Sequence, residues 1–245
     1  MKRYLLLTAT IEPAPAVARS LAVADPARRR QEYEAAFAAY VADPRQLDGV
    51  VLAENSGADL EPFRRIAPRG LAIELLNVPS RPAADRTGRG YLETLLVADA
   101  FAASELLGGP DAVAIKATGR YRTTNLASVV RSLDLTHDLG FNSRRHPEPW
   151  VDMWLYFANA RGVRALADRA DALVEGEAGT PSERSMWAVL DAIERDGLRV
   201  QRRFGAEPRL SGVRAWDGRS YESPRQRAKW VARTVAKRVV PGLWI

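Results

Sequence analysis

Four strongly apolar runs, each parted from the next by a stretch of helical character, fill the first half of this 245-residue chain. Residues 3–11 form the first, ending in Thr8-Ala9-Thr10-Ile11; Leu47–Ala53 (LDGVVLA), Leu71–Asn77 (LAIELLN) and Asp111–Ala117 are the others. Asp25-Pro26 opens a helix with a capping residue and a proline in the first turn. Tyr33, Phe37, Tyr40 and Val41 fall at i, i+4, i+7 and i+8, which gives that helix one core-facing stripe. A long helix over Tyr91–Leu107 turns Leu92, Leu95, Leu96 and Leu106 inward and closes at Gly108-Gly109-Pro110. Strands joined through helices need crossover connections, and these produce a largely parallel sheet. The expected fold class is α/β, an open, mostly parallel sheet flanked by helices.

The second half is less regular. Thr124-Asn125 begins a further helix, Pro149–Phe157 (PWVDMWLYF) reads as a strand, and Arg161–Val174 reads as a helix. Another helix runs from Thr180-Pro181 to about Arg195. Residues 205–224 carry turn residues with little periodicity and read as irregular. The expected organisation is a βα half over 1–125, a second half of the same domain over 126–204, and an irregular segment with a helical basic tail over 205–245. An apolar content of 47% suffices for a full core. With no cysteine, disulfides, thiol catalysis and thiolate zinc sites are excluded. Residues 1–8 read as a strand and not a signal peptide, and no apolar run approaches the ~20 residues that span a bilayer. The expected location is the cytoplasm.

The net charge of +6 is not spread over the chain. Arg225, Arg227, Lys229, Arg233, Lys237 and Arg238 carry all of it, leaving 30 basic against 30 acidic residues elsewhere. A nucleic-acid surface would distribute its cations along a face of the fold, so no nucleic-acid partner is expected. In the tail, Arg225, Lys229, Arg233 and Lys237 recur every four residues and would line one side of a helix. Val231, Val235 and Val239 form another ridge, and Trp230, Leu243, Trp244 and Ile245 add large apolar groups. Cations beside valine and tryptophan suit an anionic membrane surface. The other reading packs the helix on its own domain or on a second subunit of a homo-oligomer.

In open sheets of this kind, ligands bind beyond the carboxyl ends of the strands. The segments there are Thr8-Ala9-Thr10, Glu54-Asn55-Ser56-Gly57, Arg86–Tyr91 and Lys116–Tyr121. Gly57 permits positive φ and close approach of a ligand, and Glu54 or Asn55 can accept hydrogen bonds from a ribose or base. The bland alternative is a turn in which Asn55 or Ser56 caps the next helix. Thr8 and Thr10 would flank the same nucleotide, or serve only as strand residues. Lys116 and Arg120 are either a phosphate clamp or solvated cations on a plain Thr-Gly turn.

Asn55-Ser56-Gly57, Arg89-Gly90-Tyr91 and Lys116-x-Thr118-Gly119-Arg120-Tyr121, in this order on a βα scaffold, resemble small bacterial glycosyltransferases of surface-polysaccharide (capsule or O-antigen) biosynthesis, which have the A-type nucleotide-sugar-binding fold. The resemblance covers residues 3–125. It implies a nucleotide-sugar donor held by Thr8, Thr10, Glu54, Asn55, Gly57, Arg89, Tyr91, Lys116 and Tyr121, and a glycan or lipid-linked acceptor. Most such enzymes hold a divalent metal with an Asp-x-Asp pair. None occurs here, and Lys116–Tyr121 falls about where it would stand. Fixed cations can stabilise a leaving phosphate in place of a metal. Lys116 and Arg120, with Arg89 nearby, would be that clamp, without metal or cofactor.

An inverting transferase also needs a group to take the acceptor proton. Asp152 stands among Trp150, Met153, Trp154 and Tyr156, where loss of water would make it a stronger base. Glu183 is the second candidate, although Thr180-x-x-Glu183 also reads as a capping box. His137 and His146 fit no metal-ligand helix spacing. Trp150, Trp154 and Trp187 read as core, or as a platform for a sugar. No Walker loop, nucleophile elbow or dinucleotide fingerprint is present. Two other classes fit less well. A sugar-activating nucleotidyltransferase would need a glycine-rich, basic loop after the first strand, where TATIEPAPA has neither glycine nor cation. A non-enzymatic binder of RNA or membrane would rest on the tail alone.

Overall fold

The four apolar runs are strands β1 (Lys2–Ala9), β2 (Gly49–Glu54), β3 (Ala72–Asn77) and β4 (Ala112–Thr118), and they pair in parallel in the order β3-β2-β1-β4. Between them lie α1 (Pro15–Ala18), α2 (Pro26–Ala42), α3 (Glu61–Ile66) and α4 (Arg89–Ala103). This computed structural model describes residues 1–19, 21–79, 88–174, 181–214, 217–240 and 242, the side chains of Ala16 and Arg89 excepted.

β5 (Arg122–Thr123) and α5 (Leu126–Arg131) follow, then β6 (Leu139–Arg144) and β7 (Trp150–Asn159). Only residues 145–149 join these last two, too few for a crossover, so β7 turns back antiparallel. It inserts between β4 and β6 and completes a seven-stranded sheet with β8 (Val200–Gln201), in the order β3-β2-β1-β4-β7-β6-β8. Every strand but β7 runs one way. The mostly parallel α/β sheet expected from the apolar runs is therefore the sheet observed.

Burial follows the alternation of each strand. Leu6, Val51, Ala114 and Phe141 face α4, α6 (Ala160–Ala167) and α7 (Ser182–Arg195). Leu5, Leu7, Val50, Leu52 and Ile115 face α2, α3 and α5. Asp25 caps α2 by accepting from the Arg28 amide at 2.7 Å, and Tyr33, Phe37, Tyr40 and Val41 are all buried. The inward stripe of α4 differs from the expected one: Leu96, Val97 and Ala100 are buried, Leu92 and Leu95 are half-buried, and Leu106 packs on the core from the turn beyond the helix. α7 starts one residue later than expected, with Pro181 at its N-cap. The capping box proposed for Glu183 depends on Thr180, which lies outside the described residues.

Residues 205–214 and 217–222, expected to be irregular, carry some order. Leu210–Ser211 is β9, paired antiparallel with β5, and Val213 bridges Ser220. Asn125 fastens this segment from both sides, donating to the Glu207 carbonyl at 2.9 Å and accepting from the Arg209 amide at 2.8 Å. The tail forms α8 (Pro224–Val239), which packs on its own domain. Trp230 Nε1 donates to the Glu207 carbonyl at 3.0 Å, and Lys237 Nζ lies 2.8 Å from the Glu207 carboxylate. Arg233 and Lys237, expected on a solvated or membrane-facing side, thus turn toward the body of the protein. The valine ridge faces out, with Val231 51%, Val235 52% and Val239 72% exposed. Leu243, Trp244 and Ile245 lie outside the described residues, and among those described no helix is long and apolar enough to cross a membrane.

Candidate functional site

A cavity of about 680 Å³ opens beyond the carboxyl end of β4 and the neighbouring ends of β6 and β7. Its floor is Thr118, Tyr121, Gly90 and Glu93, its side is Arg144, Trp150, Asp152, Met153 and Trp154, and the start of α7 adds Ser182 and Glu183. Segment 207–222 supplies Glu207, Arg209, Arg214 and Tyr221; the opposite wall is α8, with Gln226, Arg227, Lys229, Trp230 and Arg233. Gly90 is glycine for a packing reason. A Cβ there would lie 2.3 Å from Ser182 Cβ, so any side chain would push the starts of α4 and α7 apart.

Glu93 organises the floor. Its Oε1 accepts from Thr8 Oγ1 at 2.8 Å and Thr118 Oγ1 at 3.1 Å, and ion-pairs with Lys116 Nζ at 2.6 Å. Oε2 takes none of these bonds. The Lys116 side chain is 1% exposed, donates to the Met153 carbonyl at 3.0 Å, and lies 5.3 Å from the Tyr156 ring centre. Burial, only partly offset by Glu93, pulls its pKa below the ordinary lysine value. The Met153 carbonyl is within reach because β7 bulges. Phe141 pairs with Tyr156 while the next residue, Asn142, pairs with Asp152, so Met153–Leu155 have no counterpart on β6. Bulges of this kind re-aim side chains at the rims of sites, and here Met153 and Trp154 join the cavity wall.

This geometry corrects the expected clamp. Lys116 lies beneath the floor, fully engaged, and is not among the cavity's lining residues. Arg120 is also buried, donating through Nε at 2.8 Å and Nη2 at 2.5 Å to Glu32 on α2, away from the cavity. The side chain of Arg89, the third member, is not described.

The expected nucleotide-binding loops are likewise occupied by the protein itself. The Glu54 carboxylate is fully buried and accepts from the amides of Ile11 at 3.0 Å, Ser56 at 2.9 Å and Ala58 at 3.1 Å. Thr10 Oγ1 donates to Asn55 Oδ1 at 2.7 Å, and Arg29 on α2 donates to the Thr10 carbonyl. These bonds knit the ends of β1 and β2 together, so the roles expected of Glu54, Asn55 and Thr10 toward a ribose or base are filled by structure. Gly57 does have positive φ, at 79°, with open space around it. Tyr91 packs against the core and does not line the cavity. Thr8 reaches the site only through Glu93.

Tyr121, Asp152 and Glu183 do line the cavity. Tyr121 meets Tyr221 edge to face at 5.3 Å. Asp152 is buried, as its apolar neighbours led one to expect, but it is not left without a counter-charge. Arg144 Nη1 donates to it at 3.0 Å while stacking 5.1 Å over Trp150. Trp150 and Trp154 stand on the wall, whereas Trp187 packs against the core. Two participants escaped the sequence reading. Glu93 sits one turn into α4, two residues past the Arg89-Gly90-Tyr91 motif. Glu207, which receives Trp230, Arg233 and Lys237, lies in the stretch read as irregular. Among the described residues no three His, Asp or Glu side chains are grouped to hold a metal ion.

No family model and no curated protein matches the chain. Among solved structures it is similar to a protein described as a nucleotide-diphospho-sugar transferase from Desulfovibrio desulfuricans G20, at 14% identity over 82% of this chain and 80% of that one, with a TM-score of 0.45. It is similar at 10% identity to a CMP:2-keto-3-deoxy-manno-octonic acid synthetase complexed with CTP, covering 98% of this chain and all of the other, TM-score 0.48. The inositol-1-phosphate CTP transferase from T. maritima aligns at 10% identity over 98% of both chains, TM-score 0.49. The fold of this chain is α/β, a mostly parallel seven-stranded sheet flanked by helices with a C-terminal helix.

Proposed function

We propose that this chain is a glycosyltransferase that moves a sugar from a nucleotide-sugar donor to a glycan or lipid-linked acceptor. One observation carries the reading: at the carboxyl edge of the sheet, Asp152, Trp150 and Trp154 with Arg144 line one side of a cavity, and Arg227, Lys229 and Arg233 around Trp230 line the other. Tryptophan faces and carboxylates suit the apolar faces and hydroxyls of a sugar. Cations suit the phosphate from which it departs. In the reaction the bond between anomeric carbon and phosphate oxygen breaks, the phosphate keeps the electron pair, and the acceptor oxygen bonds to carbon. Asp152 is the base that takes the acceptor proton, and Glu93 Oε2 receives a sugar hydroxyl.

Nucleotidyl transfer in sugar activation is the alternative; of the similar structures, one is a synthetase complexed with CTP and another a CTP transferase. The same cations would suit a nucleoside triphosphate, but the amides beyond β1 and β2 already bond the Glu54 carboxylate. A triphosphate placed there would meet a buried negative charge. The test is incubation with UDP-, GDP- and CMP-sugars, and separately with nucleoside triphosphates plus sugar 1-phosphates. Release of a nucleoside phosphate from one sugar donor is expected, undiminished by EDTA. Pyrophosphate release from a triphosphate would replace this reading with sugar activation. A strict need for manganese or magnesium would show that carboxylates assemble a metal site after all.

The outer face of α8 is proposed to rest on an anionic membrane, where a lipid-linked acceptor would be embedded. Its exposed Val231, Val235 and Val239 are flanked by exposed Arg225 and Arg238, and the helix holds no acid. Full-length protein should sediment with phosphatidylglycerol vesicles and much less with phosphatidylcholine alone. The triple Val231→Ser, Val235→Ser, Val239→Ser variant should stay in solution with both. Equal sedimentation of variant and parent would sink the idea.

A further inference from the structure

The expected phosphate clamp is buried, yet the cavity does not lack cations. They come from α8 and from the chain facing it. Arg227, Lys229 and Arg233 of α8 line the cavity, and Arg144 and Arg214 approach from β6 and from the segment after β9. Most of these charges are met. Arg144 pairs with Asp152 at 3.0 Å, Arg214 with Asp217 at 2.7 Å, and Arg233 lies 3.7 Å from Glu207. Lys237, further along the same face, takes the other oxygen of Glu207 at 2.8 Å.

Arg227 and Lys229 differ. Both line the cavity, and among the described residues no carboxylate stands within ion-pair distance of either. Partial burial pushes the Lys229 ammonium below the ordinary lysine value, and the charges of Arg225, Arg233, Arg144 and Arg214 push it further. Like charges gathered at a cavity wall cost free energy in the empty protein, and an anion bound among them recovers it. Beside them Trp230 is held rigid, its indole bonded to the Glu207 carbonyl and Arg209 stacked 5.3 Å over its ring. A flat apolar surface therefore adjoins the cationic one.

We propose that Arg227 and Lys229, supported by Arg144 and Arg233, form a subsite for a diphosphate or phosphate monoester, with the organic part of the ligand lying toward Trp230. The proposal rests on the glycosyl-transfer reading for its biological ligand, but it specifies the wall that holds the phosphate. It takes the role first expected of Lys116 and Arg120 and gives it to the tail helix.

Inorganic pyrophosphate, titrated calorimetrically into the full chain at low salt, is the probe. The parent protein should bind it, and affinity should fall with rising salt. The Arg227→Ala, Lys229→Ala double variant should lose about tenfold or more, the scale of lost charged hydrogen bonds. Arg238→Ala, which removes an exposed cation of the same helix outside the cavity lining, should leave affinity unchanged. Circular dichroism checks that each variant is folded. Unaltered pyrophosphate binding by the folded double variant, an equal loss in Arg238→Ala, or no binding by the parent would each overturn the subsite. The outcome is separable from the reaction: turnover of a sugar donor with Arg227- and Lys229-independent pyrophosphate binding defeats the subsite alone. Dependent binding with pyrophosphate release from triphosphates defeats the glycosyl reading alone.

Discussion

Alanine in place of Lys116 should lower the free energy of unfolding by about 3–5 kcal/mol, the range for removing one partner of a buried ion pair. The ammonium is held by the Glu93 carboxylate at 2.6 Å, the Met153 carbonyl at 3.0 Å and Thr118 at 3.3 Å, with 1% of the side chain exposed. Alanine leaves a cavity above Tyr156 and strips Glu93 of its counter-charge, so both the transfer and the electrostatic losses apply. Lys116→Met combined with Glu93→Gln should regain most of that stability, because two uncharged side chains of similar volume need no desolvated charge. Urea titration followed by far-UV circular dichroism reads both effects. An unchanged midpoint for Lys116→Ala would show that the ammonium is solvated, as a plain turn would have it.

The second large effect is kinetic. Asp152→Asn keeps the side-chain shape on the cavity wall but cannot take a proton, and turnover of the sugar donor should fall by about 10²–10⁴-fold, the usual contribution of a positioned general base. Donor affinity should stay close to that of the parent, since the base acts on the acceptor. Glu183→Gln, at the start of α7, should cost far less. Initial rates together with donor binding distinguish the cases. Full turnover in Asp152→Asn would move the base to another cavity carboxylate, with Glu93 next in line.

The sheet was readable because buried parallel strands are nearly continuous apolar runs and need no partner to declare themselves. The α2 helix was readable because its cap and its stripe are both local. What failed was pairing over distance. Lys116 looked like a polar residue at a strand's end, whereas β4 continues to Thr118 and places it inside the sheet. Nothing near Lys116 in sequence announces Glu93, which arrives from α4 to make that burial tolerable. Glu54 behaved likewise in part: its donor on the β1 loop, the Ile11 amide, lies beyond any local pattern, whereas Ser56 and Ala58 are near neighbours. For α8 the spacing correctly separated a cationic side from a valine side, but which side turns inward is decided by Glu207, in a segment without periodicity. Asp152, Glu183 and Tyr121 line the cavity because they stand close to strand and helix ends, a position that local pattern makes legible.

The two sides of the cavity are built to different tolerances. On the floor, a single oxygen of Glu93 ties β1, β4 and α4 together, and Lys116 extends the tie to β7. No one of these elements can shift without straining the others. The α8 wall has no fully buried residue and is held by Trp230, Arg233 and Lys237 on Glu207, with Lys237 also donating to Asn142 on β6 at 2.7 Å and to the Phe204 carbonyl at 3.0 Å. Local opening costs least where few apolar contacts must break, so hydrogen exchange is expected to be faster in α8 than on the floor. Under the proposed reading, a ligand would meet a carboxylate side fixed by the sheet and a cationic side held by fewer ties.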